Sequence, residues 1–317
     1  MTKVTLLAGG VGGAKMAEGF AALPDVDLTI IGNVADDDDF HGLWVSPDID
    51  TMLYTLSGRI DRSQGWGVAD EGRRALDTLG ALGADTWMFL GDRDFGLHIH
   101  RTERLKRGDR PTEITRDIGR AFGIGARIVL PTDDRVQTRV ETEAGWLSFQ
   151  EYFVRERCAP EVTALRIDGL AEARPTQEAL DAIAQADLIV IAPSNPLVSI
   201  RPILGIGGIA AAVQGAQAPV IAVSPLIDGR VVKGPADRMM KALGMRADVV
   251  GVAECYAELA QALLIDTADA RHGEAVAATG PQPVVTDILM PDATAKARLA
   301  REILSHAAAT RGQEAAE

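Results

Sequence analysis

Leu28 to Thr51, LTIIGNVADDDDFHGLWVSPDIDT, runs an apolar segment straight into six aspartates and one histidine. Leu28 to Ile31 has the length and texture of a buried strand, and Gly32-Asn33 ends it, so the acidic residues arrive at the strand's carboxyl end. Open α/β sheets bind their ligands there. Asp36 to Asp39 repel one another, and carboxylates kept beside a core strand need a cation, for which a hard ion such as Mg2+ suits an all-oxygen set. A solvated acidic loop is the plainer reading of the run by itself. Ser46-Pro47-Asp48-Ile49-Asp50-Thr51 shifts the balance, because Ser-Pro-Asp opens a helix whose first turn projects further carboxylates toward the same cleft.

Upstream, Val4 to Ala8 is another apolar strand, followed by Gly9-Gly10-Val11-Gly12-Gly13-Ala14-Lys15 and a helical pattern reaching Leu23. A strand, a glycine turn and a helix bring backbone N–H groups to a helix N-terminus, where the dipole favours an anion, and Lys15 adds positive charge. The spacing is not that of a P-loop. It fits the dinucleotide fingerprint only loosely, since Ala17 stands near where a third glycine belongs.

Downstream, helical spacing covers Asp70 to Leu82, and Thr86 to Leu90 reads as a strand ending in Gly91-Asp92-Arg93-Asp94, with His98 beyond. Arg93 offers a planar fork for a phosphate or an acidic heterocycle. Ile99 to Gly108 and Pro111 to Phe122 have helical spacing, and Ile128 to Leu130 is a strand. Val136 to Glu141 and Trp146 to Phe153 alternate around Glu143-Ala144-Gly145 as a hairpin, with Val162 to Ile167 as a third strand. From Pro175 the α/β rhythm resumes: helix over Thr176 to Ala186, then strands over Leu188 to Ala192, Val220 to Val223, Val249 to Val252 and Leu263 to Asp266. Pro193-Ser194-Asn195-Pro196 is a constrained strand end with a free hydroxyl and amide, and Ser224-Pro225 makes a second turn on the same rim. Ile200 to Val213 reads as a loop and a short helix, Ala253 to Ala262 and Asp292 to His306 as helices, Lys233 as an exposed surface lysine, and Gln313 to Glu317 as a frayed end. The expected fold is α/β, a Rossmann-like three-layer α/β/α sandwich with a mostly parallel sheet. Residues 1–132 and 173–317 form its core, and 133–172 a small antiparallel α+β insertion.

Composition narrows the function. With 317 residues, 47% of them hydrophobic, the chain can bury a large core. A net charge of −13 disfavours nucleic acid and anionic membranes as partners. The two cysteines, Cys158 and Cys255, fit no zinc pattern and no disulfide scaffold, and no apolar run is long enough to span a bilayer, so a soluble cytoplasmic protein is expected. Glycine, acidic, arginine and Ser-Asn-Pro loops on one rim make a kit for phosphoryl-type transfer: amides hold a diphosphate, carboxylates hold a metal, and a polar group positions a hydroxyl. No G-x-S-x-G and no activated cysteine supports a protein nucleophile. His41 and His98 are the histidines nearest this rim.

These stretches, GGVGGAK from Gly9, NVADDDDFHG from Asn33, SPDIDTMLYTLSG from Ser46, LGDRD from Leu90, FQEYFVR from Phe149 and APSNPLVSIRPIL from Ala192, recur in order and together resemble the 2-phospho-L-lactate transferase family. Actinobacterial members are phosphoenolpyruvate transferases. The resemblance implies a step of coenzyme F-420 biosynthesis, in which a phospho-acyl group (2-phospho-lactyl, enolpyruvyl phosphate or 3-phosphoglyceryl) moves from a diphospho-5′-guanosine donor to the ribityl hydroxyl of the deazaflavin Fo. GMP leaves and Mg2+ is required. It further implies Asp48 and Asp50 as catalytic carboxylates, with Asp48, Asp50, Thr51, Arg93 and His98 at the deazaflavin. Asp36, Asp37 and Asp50 would hold the metal, while Gly9, Gly10, Gly12, Gly13, Lys15, Ser194, Asn195 and Pro196 surround the guanosine diphosphate part. The family carries a non-acidic residue after its first two acidic positions, where this chain has Asp38 and Asp39. A homodimer is the family expectation. Two other readings are a non-catalytic nucleotide- or deazaflavin-binding protein on the same fold, and a nicotinamide oxidoreductase resting on the glycine turn alone.

Overall fold

The computed structural model describes residues 1–314. In chain order the elements are β1 (Thr2–Ala8), α1 (Gly10–Ala21), β2 (Val26–Gly32), β3 (Asp38–Phe40), β4 (Leu43–Val45), α2 (Pro47–Leu56), α3 (Arg74–Ala81), α4 (Asp92–Lys106), α5 (Pro111–Ala121), β5 (Arg127–Val129), β6 (Gln137–Thr142), β7 (Gly145–Ser148) and β8 (Ala164–Asp168). There follow α6 (Gln177–Ala184), β9 (Leu188–Ile191), α7 (Arg201–Gly205), α8 (Ile209–Gln214), β10 (Val220–Val223), β11 (Leu226–Ile227), β12 (Arg230–Val231), α9 (Ala236–Ala242), α10 (Val249–Tyr256), β13 (Ala262–Ile265), α11 (Gly273–Ala277), β14 (Gln282–Val285) and α12 (Ala293–Glu314). The expectation for Gln313 to Glu317 lies largely outside the described residues.

Seven strands form one parallel sheet in the order β14-β13-β10-β9-β1-β2-β5. Buried on both faces, they read as continuous apolar runs rather than alternating ones: Leu188 to Ile191 and Ala262 to Ile265 are buried at every position. From β1 the chain steps outward to β2, whereas from β9 it steps the opposite way to β10. Right-handed crossovers therefore put α1 and α8 on opposite faces, giving the expected α/β/α layers. Strand order reverses between β1 and β9, and a crevice opens beyond their carboxyl ends.

A separate three-stranded antiparallel sheet, β7-β6-β8, carries the expected hairpin. Its second arm stops at Ser148 instead of reaching Phe153, because Glu151–Arg155 winds into a π-helical turn. That turn stacks Phe149 on Phe153, ring centroids 5.5 Å apart.

Three further expectations fail for identifiable reasons. Thr86 to Leu90 is not a strand: Trp87, Met88 and Leu90 are apolar because they pack with Phe40, Val45, Leu76 and Phe95 in a small core of their own, away from the sheet. Arg93 accordingly sits in the first turn of α4, not in a strand-end loop, and the rim has one fewer strand than expected. Val249 to Val252 is the start of α10, where Asp248 accepts from the N–H groups of Val250 and Gly251, 3.0 Å each, and fixes a helix start that outweighs the β-branched run. Ile200 to Gly205, expected as the loop before a short helix, is helical instead, the π-helical turn Pro196–Ile200 running into α7.

Candidate active site

Four connections meet at the switch point. After β1 the chain turns at Gly9 and Gly10, the latter at φ +62°, into α1. A Cβ on Gly12 would lie 2.1 Å from the Pro193 carbonyl oxygen, so only glycine lets the β1 and β9 loops approach this closely. Ser194 Oγ accepts from Gly9 N–H at 3.1 Å and donates to Gly9 C=O at 2.7 Å. Asn33, at the end of β2, donates through Nδ2 to Asp48 Oδ2 (2.9 Å) and to Val198 C=O (3.2 Å), while its Oδ1 accepts from Ala35 N–H. One buried amide thus ties the acidic turn, α2 and the β9 loop together. The diglycine turn and the aspartate run share one edge.

Ser46 precedes α2 and Pro47 occupies its first turn, so Asp48 and Asp50 sit at the positive end of the helix. Both are buried, as are Asp36 and Asp37. The aspartate run divides: Asp36 and Asp37 point inward, whereas Asp38 and Asp39 enter the β3–β4 hairpin, where Asp38 accepts from Gln137 Nε2 (2.8 Å) and Asp39 lies 3.5 Å from Arg135. Burial, reinforced by Asp48 and Asp37, raises Asp36 well above the ordinary carboxylate range. Burial likewise raises Asp37 strongly, and Asp48 to about 6. Oδ1 of Asp36 and Oδ1 of Asp37 are buried with no hydrogen-bond partner, while Asp37 Oδ2 accepts from Ser46 Oγ (2.7 Å) and Trp44 Nε1 (3.0 Å).

Asp50 has a different environment. Both its oxygens accept from the buried Arg101 guanidinium, one of them at 3.1 Å, in a bidentate pair. Arg101 also contacts His98 Nδ1 at 3.3 Å, and burial depresses His98 to about 4. Beside them Tyr54 O–H donates to Asp94 at 2.6 Å, and burial raises Asp94 to about 6. Tyr54 and Arg101 escaped the sequence reading. Arg101 lies in an amphipathic stretch that reads as a solvated helix face, and only its i+3 relation to His98 could have marked it.

The crevice encloses about 730 Å³. Gly9, Gly10, Gly12, Lys15, Asp36, Asp48, Asp50, Thr51, His98, Ser194 and Asn195 all line it. Gly13, Asp37, Arg93 and Pro196 do not: Gly13 packs beneath the turn, and Arg93 is exposed, with its guanidinium on the Ala69 carbonyl. His41 is exposed at the tip of the β3–β4 hairpin. An apolar part of the lining was missed, built from Trp87, Met88, Phe89, Phe149 and Phe153. The i, i+4 spacing of Phe149 and Phe153 was its one sequence signal. Lys233 is exposed as expected, yet it also lines the crevice, donates to the Gln64 carbonyl and is lowered by burial and then by Lys15. Among the described residues no helix is long and apolar enough to cross a membrane.

Fold and crevice define a Rossmann-like α/β protein with a crevice at the switch point between two halves of a parallel sheet. Residues 4–305 match the family described as 2-phospho-L-lactate transferase CofD, and the chain belongs to that family. It is 40% identical over 310 residues to a phosphoenolpyruvate transferase of Streptomyces coelicolor, covering 96% of this chain and 97% of the relative. It is 39% identical over 306 residues to a 2-phospho-L-lactate transferase of Methanopyrus kandleri, covering 95% and 96%. The protein is therefore an enzyme of the transferase type. Two crystal structures of a Bacillus halodurans protein, one described as a member of the UPF0052 family, share the fold at TM-scores of 0.63 and 0.61. Sequence identity to them is 17% and 16%, and each alignment covers 96% of this chain and 99% or 98% of theirs.

Proposed function

We propose that this transferase moves a phospho-acyl group from a diphospho-5′-guanosine donor to the ribityl hydroxyl of the deazaflavin Fo, releasing GMP, in coenzyme F-420 biosynthesis. The observation that carries this reading is the mixed lining of one crevice, which a glycine turn with Lys15, buried carboxylates and a set of aromatic side chains all border. A guanylated diphosphate suits the first, a planar heterocycle the last.

Among the described residues no cluster of three or more His, Cys, Asp or Glu side chains is arranged to hold a metal. A pair is present. Asp36 and Asp48 line the crevice, repel one another and are raised by burial, and Asp36 keeps an unpartnered oxygen. That fits Mg2+, which binds one or two carboxylates and completes its shell with substrate phosphates and water. When bound, the ion neutralises charge on the leaving diphosphate. Asp36 and Asp48 would hold it, with Asp37 behind them. Asp50 has both oxygens on Arg101 and its Oδ2 also on the Ser46 N–H, so Oδ1 is the oxygen that keeps a second lone pair with which to accept the attacking hydroxyl. Backbone amides of the glycine turn and Lys15 hold the donor's phosphates in line with that hydroxyl.

Incubating the protein with Fo, Mg2+ and each of the lactyl, enolpyruvyl and glyceryl donors in turn should yield GMP and a phosphorylated deazaflavin with at least one. Absence of both products with all three donors overturns the reading.

A further inference from the structure

We infer that His98 serves as a neutral hydrogen-bond donor to the heterocycle of the acceptor substrate, its Nε2–H tautomer pinned by Arg101, and not as a general base. The argument is one of donors and acceptors. Arg101 Nη1 lies 3.3 Å from His98 Nδ1, and a guanidinium has no acceptor to offer, so Nδ1 must supply the lone pair. A ring that accepts at Nδ1 cannot be an imidazolium, and its single proton rests on Nε2. The competing tautomer would need Nδ1–H to reach Asp50, whose nearest oxygen is 3.8 Å away, beyond hydrogen-bond distance and already facing Arg101. Arg101 is itself held by its bidentate pair with Asp50 in a buried setting, so the contact to His98 is not one of several it can adopt.

His98 is buried but borders the crevice, and Nε2 has no acceptor among the described residues. Its N–H therefore meets whatever occupies that part of the site. Asp50 lies 3.8 Å from His98 and Asp94 one turn earlier on α4, so an uncharged carbonyl or ring nitrogen is a better acceptor for this N–H than an anion. Such atoms belong to a planar heterocycle lying toward the aromatic lining. Arg101, which touches no substrate in this arrangement, is a positioning residue. The identity of the heterocycle rests on the proposed reaction; the tautomer does not.

The first test needs no substrate. Nitrogen NMR of protein labelled at histidine, with His98 assigned by its disappearance in His98→Gln, should show a protonated Nε2 and a bare Nδ1 at neutral pH. A protonated Nδ1, or an imidazolium, overturns the inference even where turnover is confirmed. The second test separates donor from base. His98→Gln keeps an N–H close to the Nε2 position and should hold KM for the heterocyclic acceptor within about threefold, whereas His98→Ala should raise it about tenfold, the loss of one hydrogen bond. Equal falls in kcat for both variants, with KM unchanged, would make His98 a base and sink the assignment.

Discussion

Asp36 and Asp37 share composition and neighbourhood with Asp38 and Asp39, yet the two pairs live in different media. The first pair is buried, with both residues raised far above the ordinary carboxylate range and one oxygen of each left without a partner. The second is in contact with solvent, paired to Gln137 and Arg135 across the surface of a hairpin. Four identical letters do not make one site. What separates them is the start of β3 at Asp38, which turns the backbone outward. The lesson is that charge in a run counts only residue by residue, according to where each side chain is delivered.

The largest expected effect tests this contrast in turnover. Asp36→Asn should lower kcat on the order of a thousandfold, because it removes one of two carboxylates available to a cation, while Asp38→Asn should stay within about threefold of the parent. Equal losses in a steady-state assay would erase the distinction.

A second way to sharpen it uses pH and metal. Asp48 has a folded pKa of about 6 against an ordinary 3.8, so between those values the folded state holds more protons than the unfolded one. Its stabilising share is complete below pH 3.8 and is lost as pH rises through about 6. In metal-free buffer Asp48→Asn should therefore gain on the parent as pH rises, by roughly 3 kcal/mol at pH 7, read from denaturant midpoints. Added Mg2+ should narrow that gap by stabilising the parent. A gap that widens as pH falls, or that ignores Mg2+, contradicts the placement of a cation here. The smallest effect lies on the exposed side. Asp39→Ala should change stability by no more than about 0.5 kcal/mol at any pH from 5 to 8, as expected of an exposed ion pair.

The sequence announced what local chemistry controls. Val4 to Ala8, Leu28 to Ile31, Leu188 to Ala192 and Val220 to Val223 are strands because apolar runs of that length between glycine and proline breaks have few other homes in a sheet covered on both faces. Ser46-Pro47 opens a helix because its cap chemistry is local. What stayed hidden depends on distant partners. Trp87 to Leu90 looks like a strand in isolation, and only the hairpin carrying Phe40 and Val45 shows that its apolar side chains belong to a second core and to the crevice wall. β14, with Pro283 inside it and only four residues long, gave no periodic signal, although it pairs in register with β13 along its whole length. In the site, Gly9 to Lys15, Asp48 and Ser194 were readable from turn chemistry. Arg101 was not, because a buried arginine in a helix is spelled like an exposed one.

The 2.1 Å that a methyl group on Gly12 would have to share with the Pro193 oxygen has an implication for fit. A floor bolted together this tightly, and pinned again by Ser194 and Asn33, has no play with which to widen around a bulky donor. The stretch from Arg62 to Gly67, by contrast, is tied to its surroundings through side chains, Arg62 on Glu18 of α1 and Lys233 on the Gln64 carbonyl. Where the floor is locked backbone against backbone, any give around a bulky donor has to come from such side-chain ties.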